Sequence, residues 1–224
     1  MELFVTGTDT DCGKTLITLG LMARLEEKGG RVAGMKPVAS GATRTSAGLR
    51  NDDALAIQAA CHLPFPYDWI NPCCLESAVA PHLAAAAEGR SIDLEAILAA
   101  AARLRAEADH LVVEGAGGWR VPLTQEADMA GLCRMLELPV VLVVGLKLGC
   151  LNHALLSAES ILASGCRLAG WVATSLAPDM PLERENIDTL RALVPAPFLG
   201  HVPWQARPEP GFTASRIALP EAGA

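Results

Sequence analysis

Two hydrophobic periods trade places along this chain almost from end to end. Residues 3–6 form a short apolar, β-branched run that reads as a strand, and residues 15–28 repeat apolar Leu16, Leu19, Leu21, Met22 and Leu25 at helical spacing. Gly29-Gly30 stops that helix, and Pro37 ends a second strand over 31–36. The pattern then predicts helices over 52–61 and 94–107, and a strand over 110–114 that gives way to a glycine-rich loop at 115–118. A helix follows near 128–136. Residues 139–144 are continuously apolar, the mark of a strand buried on both faces of a parallel sheet. Helix 152–163, strand 168–174, helix 182–193 and strand 198–202 complete the series. Such alternation predicts an α/β fold of three layers, a mostly parallel central sheet with helices on both faces. At 224 residues and 51% hydrophobic content, one domain over 1–224 is expected, with an irregular tail from about residue 207. Ligands of this architecture bind beyond the carboxyl ends of the strands, so chemistry is sought there.

The first strand end carries the strongest motif. Gly7-Thr8-Asp9-Thr10-Asp11-Cys12-Gly13-Lys14-Thr15 joins strand to helix as a phosphate-binding P-loop does. Backbone N–H groups at the helix start lack intrahelical partners, and the helix dipole adds positive charge there. Gly13 leaves room for a phosphate, Lys14 supplies charge to the β- and γ-phosphates, and the Thr15 hydroxyl suits a magnesium shell. One position departs from the usual spacing: Thr8 stands where the first glycine is expected, and the glycine is Gly7.

Two other strand ends deliver charge. Lys36 closes the second strand ahead of Pro37-Val38-Ala39-Ser40-Gly41, and Glu114 closes the third. A carboxylate ending an apolar strand is a frequent companion of a P-loop magnesium ion, although such a residue also occurs in a purely structural role. A second lysine near Lys14 is repelled unless an anion lies between them, and a transferring phosphoryl group satisfies both; a lysine snorkelling at a strand end is the other reading. Asp52 and Asp53 open a helix, where carboxylates serve as caps or, if the loop folds over a nucleotide, as metal ligands. Lys147 to His153 is a further loop leading into a helix, either a plain turn or a carboxylate-binding helix start.

Bulk properties narrow the class. A net charge of −7 with no basic stripe argues against nucleic-acid binding. The longest apolar run, residues 138–146, contains Pro139 and is too short to span a bilayer. The seven cysteines contain no CxxC spacing, and the five histidines no ligand set typical of zinc. Reduced thiols and the lack of a leader point to the cytoplasm.

Taken together, GTDTDCGKT at 7–15, KPVASG at 36–41, NDDAL at 51–55, VEGAGGW at 113–119, VVGLKLGCLNHALL at 143–156, LAGWVA at 168–173 and LGHVPW at 199–204 resemble the dethiobiotin synthetase family in order and spacing. The resemblance runs from about residue 2 to residue 209. It implies a P-loop NTPase-like homodimer that makes dethiobiotin from 7,8-diaminononanoate, CO2 and Mg-ATP, by way of a carbamate and a carbamic–phosphoric anhydride. By position it implies magnesium ligands at Thr15, Asp53 and Glu114, and phosphate contacts from Asp11, Cys12, Gly13, Lys14, Thr15 and Leu16. Lys36 would be the catalytic lysine, with Lys14 beside it. Thr10, Ser40 and Gly117 would contact the diamine or its carbamate, and Gly115, Ala116 and Gly117 would lie along ATP. Pro203, Trp204, Gln205 and Glu209 would line the nucleoside pocket. The helix start at Gly149, Cys150, Leu151 and Asn152 would hold the substrate carboxylate across the dimer. Where the family commonly has an Asn-Asp pair that reads adenine, this chain has Thr174-Ser175, and a hydroxyl lacks the paired donor and acceptor of an amide. Weaker discrimination among nucleotides is therefore expected.

A partitioning-type P-loop switch ATPase is the alternative. That group usually carries a lysine early in its P-loop, and none lies between Gly7 and Gly13 here. An amide-forming ligase of cobalamin synthesis would need a further glutamine-hydrolysing domain, for which this length leaves no room.

Overall fold

The computed structural model describes residues 1–221. Strand β1 (Glu2–Gly7) leads into helix α1 (Lys14–Glu27) and strand β2 (Val32–Met35). The short β3 (Val38–Ala39), β4 (Thr43–Thr45) and β5 (Gly48–Arg50) precede α2 (Asp52–Ala59), α3 (Tyr67–Ile70), β6 (Cys73–Cys74) and α4 (Pro81–Ala87). Helix α5 (Leu94–Glu107), β7 (His110–Gly118), α6 (Met129–Leu136) and β8 (Val140–Leu146) follow. The chain continues through α7 (Cys150–Ala163), β9 (Leu168–Ser175), α8 (Glu183–Leu193), β10 (Phe198–Val202) and α9 (Pro210–Arg216).

Six strands form one sheet in the order β10-β9-β8-β1-β7-β2, every neighbouring pair parallel. All seven residues of β8 are buried. Successive side chains of a strand point to opposite faces, so the sheet is covered on both sides there, as the unbroken apolar run implies. Strand β1 lies between β7 and β8, which sets the P-loop at the middle of the carboxyl edge. Val5 stands opposite Glu114, so the P-loop strand and the carboxylate strand reach the same level of the sheet.

In several places the chain departs from its hydrophobic pattern. The third strand does not stop at Glu114: β7 runs on through the glycines to Gly118, which pairs with Gly7. Hydrophobic periodicity ends with the last side chain, whereas backbone pairing does not. The α7 helix starts at Cys150, two residues early, so Cys150, Leu151 and Asn152 form its first turn. The tail is not irregular from residue 207, because α9 begins with proline at its first turn, where a missing N–H costs nothing. Residues 222–224 of that tail lie outside the described residues. The polar β4–β5 hairpin and the parallel pair β3–β6 carry too few residues to leave a periodic signal.

Helix α9 fastens onto α1 at a position where no side chain fits. A Cβ on Gly20 would lie 2.5 Å from Thr213 Cγ2, and Thr213 is fully buried with its hydroxyl given to the Glu209 carbonyl. Helix propensity alone makes Gly20→Ala stabilising by about 1 kcal/mol. The contact reverses the sign: Gly20→Ala should destabilise by about 1–3 kcal/mol in urea denaturation, and Thr213→Ser in the same chain should recover part of the loss. A Gly20→Ala protein more stable than the parent would disprove the contact.

Candidate active site

The P-loop is built around Gly7 and Cys12. A Cβ on Gly7 would fall 2.2 Å from Cys12 Sγ, which is why the glycine stands here and not one place later. Thr8 is tolerated because its side chain turns to the neighbouring strand: its N–H donates to the Val143 carbonyl at 2.9 Å, and its Oγ1 accepts from the Gly145 N–H at 3.4 Å. Gly13 caps α1 with φ of 92°, a left-handed conformation. Lys14 is buried, its ammonium donating to the Asp9 carbonyl at 2.8 Å. The Asp9 carboxylate meets Lys147 at 2.7 Å, tying the P-loop to the loop ahead of α7, and that ion pair holds Asp9 below the usual carboxylate range.

Beside the P-loop lies a knot of four polar side chains. Lys36 Nζ contacts Glu114 Oε1 at 2.5 Å and Asp53 Oδ2 at 2.9 Å, and Thr15 Oγ1 donates to the same Glu114 oxygen at 2.9 Å. Glu114 is wholly buried and the Lys36 side chain is 7% exposed. Burial opposes the charge on Lys36, but Glu114 and Asp53 outweigh it and raise the lysine above its ordinary value. Burial likewise opposes ionisation of Asp53, and Lys36 outweighs it there, lowering the aspartate. Local structure explains the placement. Asn51 caps α2 by accepting from the Ala54 N–H, and its amide donates to the Ser40 carbonyl. That cap turns Asp53 inward and leaves Asp52 exposed. The Lys36 backbone is held by Asn71, whose buried amide donates to the Lys36 carbonyl at 2.6 Å.

These groups face one cleft of about 740 Å³. It brings together Thr10, Asp11, Gly13, Lys14, Thr15, Leu16, Lys36, Ser40, Asp53, Glu114, Ala116 and Gly117. Asn51, Val121 and the 78–81 segment also line it. Asn51 was legible as a helix cap in the Asn-Asp-Asp run; the apolar wall of Val121 and Val79 carried no motif. Cys12 does not line the cleft, since it is buried beneath the loop with its thiol directed to the Val143 carbonyl. Gly115 backs onto Phe4.

Other expected contacts lie elsewhere. Thr174 is buried under the P-loop, donating its hydroxyl to the Cys12 carbonyl at 2.6 Å, so its side chain supports the loop. Ser175 Oγ is 2.8 Å from His201 Nε2, and burial keeps that histidine below its ordinary pKa. Pro203, Trp204 and Gln205 follow β10, three strands from β1 and so about 14 Å across the sheet. Gln205 Oε1 accepts from the Glu209 N–H, and Trp204 is exposed. Glu209 itself is the exposed N-cap residue that precedes α9. Gly149, Cys150, Leu151 and Asn152 form the start of α7 outside the cleft, beside fully exposed Leu148.

The donor set fits a hard divalent cation. Glu114 Oε2 is buried and has no hydrogen-bond partner among the described residues, and Asp53 and the Thr15 hydroxyl lie alongside. No cluster of three or more His, Cys, Asp or Glu occurs among the described residues, so the chain offers two carboxylates and a hydroxyl, leaving other positions to phosphate and water. Among those residues, too, no helix is long and apolar enough to cross a membrane.

Known proteins resemble the chain over most of its length. The AAA domain family matches residues 1–210. An ATP-dependent dethiobiotin synthetase of Cellvibrio japonicus is 52% identical over 200 residues, spanning 89% of this chain and 88% of its own. A protein of the same name from Xanthomonas oryzae is 48% identical over 217 residues, spanning 97% of each chain. Among solved structures, a chain of the MinC:MinD cell division complex of Aquifex aeolicus aligns with a TM-score of 0.56 at 16% identity, covering 96% of this chain and 85% of its own. The signal recognition particle receptor FtsY of Elizabethkingia anophelis aligns with a TM-score of 0.54 at 15% identity, covering 96% and 64%. At such identities the likeness is one of fold.

The support under the P-loop is open to test. Thr174→Val keeps the shape and removes the hydroxyl, leaving the Cys12 carbonyl unpartnered. A loss of about 1–3 kcal/mol in urea denaturation is expected, with Thr174→Ser close to the parent. Equal stability of parent and valine variant would refute the role.

Proposed function

The chain belongs to the ATP-dependent dethiobiotin synthetase family, and from that membership we propose how its cleft carries out the family's reaction. The substrates are 7,8-diaminononanoate, CO2 and ATP; the products are dethiobiotin, ADP and phosphate. The observation that carries the reading is the convergence of Lys14, Thr15, Lys36, Asp53 and Glu114 on one cleft at the P-loop.

One amine of the diamine adds to CO2 and loses a proton, giving a carbamate. A carbamate oxygen attacks the γ-phosphorus, and the bond to ADP breaks. The second amine then attacks the carbonyl of the mixed anhydride and gives up a proton, phosphate departs with the bonding pair, and the ureido ring closes. Phosphoryl transfer of this kind is chiefly positioning and charge neutralisation. Backbone N–H groups around Gly13 and the Lys14 ammonium cradle the β- and γ-phosphates. Lys36 lies where it can bridge the carbamate oxygen and the transferring phosphoryl, and Ser40, Thr10 and Gly117 border the space left for the diamine. Thr15, Asp53 and Glu114 would hold Mg2+, which when bound draws charge from the phosphate oxygens.

Residues 149–152 do not border the cleft of a single chain, although the resemblance assigns them the substrate carboxylate. A homodimer that brings this helix start over a partner's cleft reconciles the two, and exposed Leu148, Val79 and Leu83 offer apolar surface for it. The nucleoside would run across β8 and β9 to the loop after β10, over Pro203, Trp204 and Gln205, with Ser175 beneath it. Partitioning-type switching is not favoured: the likeness to the MinD complex is at 16% identity, against 52% for the synthetase relative.

Incubation with the diamine, bicarbonate and Mg-ATP should yield dethiobiotin by mass spectrometry; ATP loss without that product would return the switch reading. Lys36→Gln should lower turnover by about 100- to 1,000-fold with the fold intact by circular dichroism. Turnover within a factor of two of the parent would remove Lys36 from the mechanism. With no amide at 174, GTP and CTP should support turnover within roughly 100-fold of ATP. A much stricter preference would show that another group reads the base.

A further inference from the structure

The cleft holds a cation before any ligand enters. The Lys36 ammonium sits between Asp53 Oδ2 and Glu114 Oε1, the two carboxylates suited to a divalent metal, and Thr15 donates to the same Glu114 oxygen. Those two carboxylates balance one lysine with a single negative charge to spare, and Glu114 Oε2 remains buried without a partner among the described residues. A free divalent ion arriving alone would meet Lys36 already bonded to both carboxylates, and Lys14 lines the same cleft. Like charges in a buried site repel strongly. An incoming triphosphate changes the balance, since it brings negative charge for Lys36 as well as oxygens for the metal.

From this geometry we propose that Lys36 is the resident counter-ion of the metal site and exchanges with the divalent cation when the metal–nucleotide complex binds. The nucleotide-free protein then takes up free metal poorly, because the Lys36 ammonium already occupies its carboxylates and offsets half of their charge. Entry of metal with nucleotide frees the ammonium from Asp53 and Glu114 and transfers it to the anionic oxygens beside it. A single flexible side chain thus serves as a place-holder in one state and as an electrophilic group in the next. The inference rests on the metal assignment made above and adds an order of events to it.

Free Mn2+ is the probe, followed by electron paramagnetic resonance and by thermal melting of the nucleotide-free protein. The parent should bind it weakly, and Lys36→Gln should bind it at least tenfold more tightly, about 1.4 kcal/mol, with a larger metal-induced rise in melting temperature. Lys36→Arg, which keeps the charge, should remain weak. Unchanged affinity in Lys36→Gln, while the parent still binds Mn2+ together with a non-hydrolysable ATP analogue, overturns the exchange and leaves the site assignment standing. Failure of the parent to bind that metal–nucleotide pair overturns the site and the exchange together. Should Lys36→Gln not fold on its own, refolding in Mn2+ supports the exchange, and failure to refold overturns it.

Discussion

A buried ammonium held between two carboxylates sets the terms for the rest of this molecule. Lys36, Asp53 and Glu114 arrive from the end of β2, the first turn of α2 and the middle of β7, and each is fixed by a separate local device. Asn71 holds the Lys36 carbonyl, Asn51 caps α2 and reaches Ser40, and pairing with β1 sets the level of Glu114. Removing one partner of such a knot leaves an uncompensated charge in a poorly solvated place, which is more damaging than losing a surface pair. The arrangement therefore demands that three stretches distant in sequence be placed together. It also explains why polar side chains are tolerated at the heart of a chain that is half hydrophobic.

The P-loop is supported from below in the same spirit. The Cys12 carbonyl accepts from Thr174 and the Cys12 thiol is directed to the Val143 carbonyl, so the loop is anchored to the sheet at its middle. Thr8 binds the adjacent strand, and Gly7 takes the position where a side chain would strike Cys12. The departure from the usual glycine spacing is thus a shift in where the close contact falls, with the phosphate-facing part unchanged.

Much of this could be read from the sequence. The strands and helices of the main sheet carry a strong period, and the P-loop, Lys36, Asp53 and Glu114 fall at its interruptions. Legibility failed where side chains carry no pattern. The glycines of β7 continue a strand by backbone pairing alone, and α9 hides in a proline-rich tail because proline is harmless in a first turn. The contact that Thr174 makes was hidden for a different reason. Its place beside the motif was plain, but the direction of one hydroxyl depends on a carbonyl more than 160 residues away in the chain.

The order of strands has a consequence for biosynthesis. Strand β1 occupies the centre of the sheet, yet its neighbours β7 and β8 are translated over a hundred residues after it, with Leu3 opposite Val112 and Phe4 opposite Val140. The nascent P-loop strand must wait unpaired until those partners are made, an exposure that high contact order imposes on slow-folding parallel sheets. A prematurely terminated product ending before β8 would carry the entire phosphate motif in its primary structure and yet have no floor on which to form it.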